Sequence, residues 1–204
     1  MATPRATRTV EILAEPMAQR VAASGVPVVL DRAYEPLRLS GRCSLDPATL
    51  QGVWQLWTPN KAMGLTGVRG AYAIAPERAL AEARALDQLA PSWPLGAHAV
   101  ALLDAWVSPA AQDWLALSLQ TLRAWKAEQR ALLAELDWTV LPCDANYFCA
   151  APPHPLDAPA LRAAGIKLRD TTSFGLAGHW RLGVLPPEAQ QVLGQALRHA
   201  EVME

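Results

Sequence analysis

An α/β fold followed by a smaller α+β unit is predicted from three features of the chain. The first is a helical stretch, a glycine and a continuous apolar run near the N-terminus. Over residues 10–24 the apolar Val10, Leu13, Met17 and Val21 recur at helical spacing. Gly25 follows, where a missing Cβ suits a left-handed cap. Residues 26–30 are then continuously apolar, as expected of a parallel strand buried on both faces. Helix, turn and buried strand make half of a βαβ unit. The second feature is another apolar run, Trp54, Leu56 and Trp57, broken at once by Pro59, Asn60, Gly64 and Gly67. The third is a long helical pattern after residue 107 that gives way to short strands. The expected domains are residues 1–106, built on a mostly parallel sheet with helices, and residues 107–204.

A chain of 204 residues can bury a sizeable core. With 18% charged residues and a net charge of −1 there is no electrostatic case for nucleic acid or an anionic membrane. No apolar run approaches the roughly 20 residues that span a bilayer, and the N-terminus shows no signal-peptide core. Cys43, Cys143 and Cys149 are odd in number and lack C-x-x-C spacing, which argues against disulfides and a zinc site. A reducing cytoplasm is the expected compartment. His98, His154, His179 and His199 are dispersed at no metal-ligand spacing, so no metal is expected.

The remaining elements follow in order. Residues 43–52 read as a loop and a short helix started by Asp46 and Pro47. A short buried strand precedes Thr58 and another covers residues 71–75. An Ala-rich helix over 76–90 is halted by Pro91 and Pro94, and a second helix covers 95–106. The long helix over 110–136 has Leu115, Leu119, Leu122, Leu132 and Leu136 at core spacing, with its charged residues on a solvated face. Strands are expected over 138–141 and 147–150, a helix over 157–164 closed by Gly165, extended segments within 166–184, and a last helix over 187–200.

Candidate chemistry gathers at two places. Lys61 is one of three lysines against fifteen arginines, and it sits among small and apolar residues. Withdrawing water from an ammonium favours the neutral amine, a nucleophile toward carbonyl carbon. Arg69 offers a planar fork for phosphate or carboxylate. Asp31 and Tyr34 come directly after the first strand, where ligands of open α/β sheets bind. Taken alone, a lysine beside a glycine-rich turn is more often a solvated loop residue.

Residues 58–72 resemble the S/T-x-S-K-x-x-G-L-x-G-x-R-x-G-Y signature of fold-type I pyridoxal-phosphate enzymes, the class I/II aminotransferases. Thr58, Lys61, Gly64, Leu65, Gly67, Arg69 and Tyr72 fit, while Asn60 departs from the usual serine. The resemblance implies that Lys61 forms the Schiff base with pyridoxal 5′-phosphate and shuttles a proton, and that Thr58 and Arg69 grip the phosphate. Asp31, Arg32, Ala33 and Tyr34 resemble the family's D-x-A-Y element. There the Asp pairs with the pyridine nitrogen and keeps the ring an electron sink, and the Tyr bonds the 3′ oxygen. Residues 142–148 look like the P-S-x-A-N-F element, so Asn146 is implied in the substrate-carboxylate site; a turn Asn bonding its own backbone is the plainer reading. Residues 165–184 resemble a region of histidinol-phosphate aminotransferases and threonine-phosphate decarboxylases, which implies that Arg169 and Arg181 hold the substrate's anionic groups.

The resemblance runs from about residue 10 to the C-terminus yet covers only the second half of the family's pattern. The first half supplies a phosphate-cradling loop, a ring stacked on the cofactor and an N-P-x-N-P-T-G element. Residues 3–9 are read as a remnant of that element, in which the Asn that contacts the cofactor is either replaced by Ala6 or missing. The expected activity is therefore amino-group transfer of the histidinol-phosphate aminotransferase type, in amino-acid biosynthesis, on a small amino-acid or amino-phosphate substrate. The chain is expected to be incomplete alone and to act as a homodimer or with a complementary chain carrying the N-terminal half. The alternatives are an inactive truncated remnant or interaction module, and a threonine-phosphate decarboxylase.

Overall fold

The computed structural model describes Arg20, residues 23–43 and residues 45–200. Most of the helix expected over 10–24, and the whole of residues 3–9, lie outside the described residues. The described chain forms two compact units divided between Leu117 and Ser118.

In the unit that ends at Leu117, β1 (Val29–Asp31), β2 (Trp54–Trp57) and β3 (Tyr72–Ile74) form a sheet in that order. Strands β1 and β2 are parallel, with Val29 opposite Trp54 and Asp31 opposite Leu56. The crossover between them carries a 3-10 turn, Glu35–Leu37, and helix α1, Pro47–Gln51. The expected start of α1 is explained by its cap: the Asp46 carboxylate accepts the Thr49 N–H at 2.7 Å, and Pro47 lacks the N–H that would be orphaned there. Strand β3 runs antiparallel to β2, with Trp57 opposite Tyr72. Only turns lie between Thr58 and Ala71, so the chain doubles back instead of crossing over.

Two burial expectations are corrected. The apolar run over 26–30 is not buried on both faces, since Val26, ahead of β1, and Val29, within it, are 61% and 58% exposed. In β2 the buried residue is Gln55, while Leu56 is exposed and both tryptophans are half-buried. Successive side chains take opposite faces of a strand. One face, with Leu30 and Gln55, turns toward the core cluster of Leu45 and Val53; the other carries Val29 and Leu56. Buried Gln55 is satisfied on both sides of its amide, donating to the Leu50 carbonyl and accepting from Arg32.

The expected helix over 76–90 begins as a 3-10 turn, Glu77–Ala79, and continues as α2, Leu80–Leu89. Helix α3 spans Ala97–Trp106 and α4 spans Pro109–Glu135. Close approach fixes the loop after Lys61 against α3: a Cβ added at Gly70 would meet the Ala99 Cβ at 3.2 Å and its carbonyl oxygen at 3.3 Å.

The unit from Ser118 onward contains an antiparallel sheet in the order β4-β5-β7-β6, formed by β4 (Thr139–Val140), β5 (Tyr147–Ala151), β6 (Arg169–Asp170) and β7 (Trp180–Gly183). Helix α5, Ala158–Ala163, is capped by Asp157, and α6 spans Pro187–Ala200. Phe148, Leu133, Leu193 and Leu197 are fully buried in its core. The solvated face expected for the charged residues of α4 is corrected at one position. Lys126 is buried, as is its polar neighbour on the same stripe, Gln129. Both precede Leu133 and Leu136 at helical spacing, so they share that inward face. Leu119, Leu122 and Leu132, placed in the core by pattern, are half-buried.

Among the described residues no helix is long and apolar enough to cross a membrane. The three cysteines are unbridged.

Candidate functional site

Parallel pairing of β1 and β2 puts the ends of both strands on one side of the sheet. Asp31 closes β1 and lies opposite Leu56, and Thr58 comes directly after β2. Both therefore stand at the carboxyl end, where open α/β sheets bind ligands. Asp31 is exposed, and its Oδ1 accepts the Ala33 N–H at 2.9 Å. That turn bends the chain so that Tyr34 begins the 3-10 turn.

Across from it, Lys61 is half-buried, and its Nζ lies 4.8 Å from the centroid of the Tyr34 ring. The loop carrying Lys61 is held by its own polar residues. Asn60 is buried; its Nδ2 donates to the Val68 carbonyl at 3.3 Å and its own carbonyl accepts the Leu65 N–H at 2.7 Å. The Thr58 hydroxyl donates to the Gly70 carbonyl at 2.7 Å and lies 3.0 Å from the Asn60 Oδ1. Asn60, the residue that departs from the signature, is thus a staple of the loop. Arg69 is exposed on the same loop, and the Tyr72 ring is parallel to that of Trp57 at 6.4 Å between centroids.

Arg32 was not singled out by sequence, yet it ties the end of β1 to β2. Its Nη1 donates to the Gln55 Oε1 at 2.8 Å, its Nη2 lies 3.4 Å from the Glu35 carboxylate, and its guanidinium packs 4.4 Å from the centre of the Trp57 ring. Glu35 is shared with Arg38 in a two-pronged ion pair. The spacing Arg32, Glu35, Arg38 was a readable signal for that network.

In the other unit the register places Arg181 of β7 opposite Cys149 of β5 and Arg169 of β6. Directly opposed residues share a face, so the two arginines stand side by side. The Arg181 guanidinium is 3.8 Å from the centre of the Tyr147 ring, and that of Arg169 is 5.4 Å from the Phe174 ring. Asn146 comes just before β5. Its carbonyl accepts the Val184 N–H at 2.9 Å, and its Oδ1 is buried with no hydrogen-bond partner among the described residues. Beside Arg169, residues of α5, β6 and β7 line a cavity of about 460 Å³ that includes Arg162, Lys167 and Trp180.

Residues 14–197 match the family described as aminotransferase class I and II. The chain belongs to this family. No curated protein sequence matches it significantly. Among solved structures, this aminotransferase-family chain is similar to the histidinol-phosphate aminotransferase of Clostridium acetobutylicum, with a TM-score of 0.77 at 14% identity over 96% of this chain and 61% of that one. It is also similar to the L-threonine-O-3-phosphate decarboxylase of Porphyromonas gingivalis (TM-score 0.71, 19% identity, 93% of this chain and 61% of that one). A PLP-bound protein from Clostridium difficile 630 is a third neighbour (TM-score 0.74, 12% identity, 95% and 56%). The family is one of pyridoxal-phosphate enzymes. The family-member chain spans little more than half the length of these structures and has the fold of the part it covers.

Proposed function

We propose that this chain is a pyridoxal-phosphate-dependent, aminotransferase-like protein of the histidinol-phosphate aminotransferase type, with Lys61 as the residue that attaches the cofactor. One observation carries the reading. The Lys61 amine lies 4.8 Å over the Tyr34 ring, between loops that leave the carboxyl ends of the parallel strands β1 and β2. The donor set suits the cofactor group by group: an amine for its aldehyde, a carboxylate for its ring nitrogen, a phenol for its 3′ oxygen and a guanidinium for its phosphate.

When bound, pyridoxal phosphate supplies an electron sink for negative charge formed at the substrate's Cα. Each residue has a part in serving that sink. The Asp31 carboxylate holds a proton on the ring nitrogen. The Tyr34 hydroxyl donates to the 3′ oxygen. Arg69 grips the phosphate; Thr58 assists only by turning its hydroxyl from the Gly70 carbonyl. Lys61 Nζ takes the proton from Cα. Asn146, Arg169 and Arg181 hold the anionic groups of a small amino-acid or amino-phosphate substrate. Two like charges on adjacent strands repel, and an anion between Arg169 and Arg181 relieves that repulsion.

The same reading treats the chain as part of a larger assembly, a homodimer or a pair with a complementary chain, working in the cytoplasm. Two facts support it: the chain spans 56% to 61% of the three solved structures named above, and Val29, Leu56 and Ile74 of the three-stranded sheet are exposed. A second reading, a protein of this fold without turnover, is favoured by the commitment of the Thr58 hydroxyl to Gly70. Borohydride treatment of the chain mixed with pyridoxal phosphate tests the first reading. The label is expected on Lys61; its recovery on Lys126 or Lys167, or nowhere, overturns the assignment.

A further inference from the structure

The most heavily buried amine in the described chain is not Lys61 but Lys126, whose residue is 7% exposed in the middle of α4. Burying an ammonium is costly unless it is hydrogen-bonded. Lys126 Nζ donates to the carbonyls of Cys143 and Ala145, the latter at 2.7 Å. Those carbonyls belong to the irregular turn between β4 and β5, which leaves them outside the sheet ladder. One turn further along the same face of α4, Gln129 is fully buried. It donates to the Gly183 carbonyl at 3.1 Å and accepts the Leu185 N–H at 2.8 Å.

These two side chains grip two specific pieces of backbone. The turn held by Lys126 leads into Asn146; the segment held by Gln129 leaves β7, which carries Arg181. The two pieces are joined to each other by the Val184 N–H to Asn146 carbonyl bond. Fixing the Ala145 carbonyl fixes the plane of the peptide that contains the Asn146 nitrogen, and with it the point from which the Asn146 side chain departs.

We propose that Lys126, seconded by Gln129, is a positioning residue that sets Asn146 relative to Arg181 for recognition of the substrate's anion. The proposal rests on the reading of Asn146 and Arg181 as substrate-binding groups. An apolar residue at position 126 would fill the same core space but withdraw the ammonium that both carbonyls accept from, and with it the tie between the turn and α4. Displacements of the order of 1 Å cost binding sites far more than they cost stability.

The test uses the full chain as wild type and as Lys126→Met, Lys126→Arg and Arg181→Gln. Amide hydrogen exchange is followed by site, and affinity for O-phospho-L-serine, which carries a carboxylate and a phosphate and needs no turnover, is followed by tryptophan fluorescence. Lys126→Met is expected to speed exchange at residues 145–148 and 183–185 while Leu133 and Leu193 keep their protection, and to weaken O-phosphoserine by about tenfold to a hundredfold. Lys126→Arg, which keeps the charge and the donors, is expected to recover part of both. Unchanged exchange, or a uniform acceleration through the whole unit, with O-phosphoserine binding intact in the wild type overturns the role of Lys126 alone. Absence of binding by the wild type, or binding that Arg181→Gln does not weaken, overturns the substrate-site reading and the positioning role with it.

Discussion

The Nζ of Lys61 stands 4.8 Å from the centre of the Tyr34 ring, joining two loops that leave neighbouring parallel strands. A cation over a phenol is worth only about 0.5–2 kcal/mol, too little to hold either loop. The loops are set by their own backbone contacts instead: the Asp31 carboxylate on the Ala33 N–H, and Asn60 on the Val68 carbonyl. The amine is thus delivered next to the phenol by hydrogen-bonded loops, and its own contact with the ring is a weak one. That suits the role proposed for Lys61, bonding to a ligand and moving a proton.

Arg69 is exposed and lies eight positions after Lys61 in the loop. If it grips the cofactor's phosphate, Arg69→Ala removes a charge-assisted hydrogen bond worth about 1.5–3 kcal/mol. The variant is expected to bind pyridoxal phosphate roughly tenfold to a hundredfold more weakly, with pyridoxal unaffected. Titration by visible absorbance checks both ligands. Equal losses for the two would mean that Arg69 acts by shaping the loop.

Residues 1–204 purified alone are expected to transaminate poorly. A cofactor must be held to within about 0.5 Å by a packed shell, and the groups proposed here for its phosphate are Arg69 and Thr58 alone. Assays with histidinol phosphate and common amino acids should fall below the ordinary range of about 1–1,000 turnovers per second. Turnover inside that range would show that this chain builds the whole site.

Acid should weaken both units through two hydrogen-bonded carboxylates, the Asp46 cap of α1 and Asp170 at the end of β6. The Thr49 backbone N–H holds the Asp46 carboxyl below its ordinary value of 3.8 against some opposing burial, and the Thr49 hydroxyl adds to the lowering. The Thr172 backbone N–H and hydroxyl do the same for Asp170. A carboxylate with a lowered folded pKa contributes stability that is fully present above the unfolded value and disappears as pH falls through the folded one. Asp46→Asn and Asp170→Asn should therefore lower Tm at neutral pH and flatten its decline below about pH 4. A decline as steep as that of the wild type would assign the acid sensitivity to other groups.

Two glycines of the Lys61 loop should respond differently to alanine. Gly64 has φ of 68°, a left-handed conformation that costs a Cβ-bearing residue about 1–2 kcal/mol. At Gly67 a Cβ meets nothing within 4 Å, and φ is not in that region. Thermal melts of the two variants should show a clear loss for Gly64→Ala and a shift within about 0.5 kcal/mol for Gly67→Ala. A similar loss at both would point to a demand on Gly67 that space alone does not reveal.

Features decided within a few residues were legible in the sequence. The Asp46 cap and Pro47 start of α1, the left-handed Gly165 after α5, and the order of strands and helices follow from bonds between near neighbours in the chain. The signature around Lys61 was also legible, because its glycines and Asn60 satisfy the loop locally. What lay out of reach was set by partners distant in sequence. Hydrophobic period assigned the charged residues of α4 to solvent, but the free energy of burying Lys126 depends on carbonyls at Cys143 and Ala145 that only the packed turn brings to it. The exposure of Val29 was likewise hidden. An apolar run specifies a side chain's preference for burial, and whether a face finds cover is decided by what the rest of the fold lays against it.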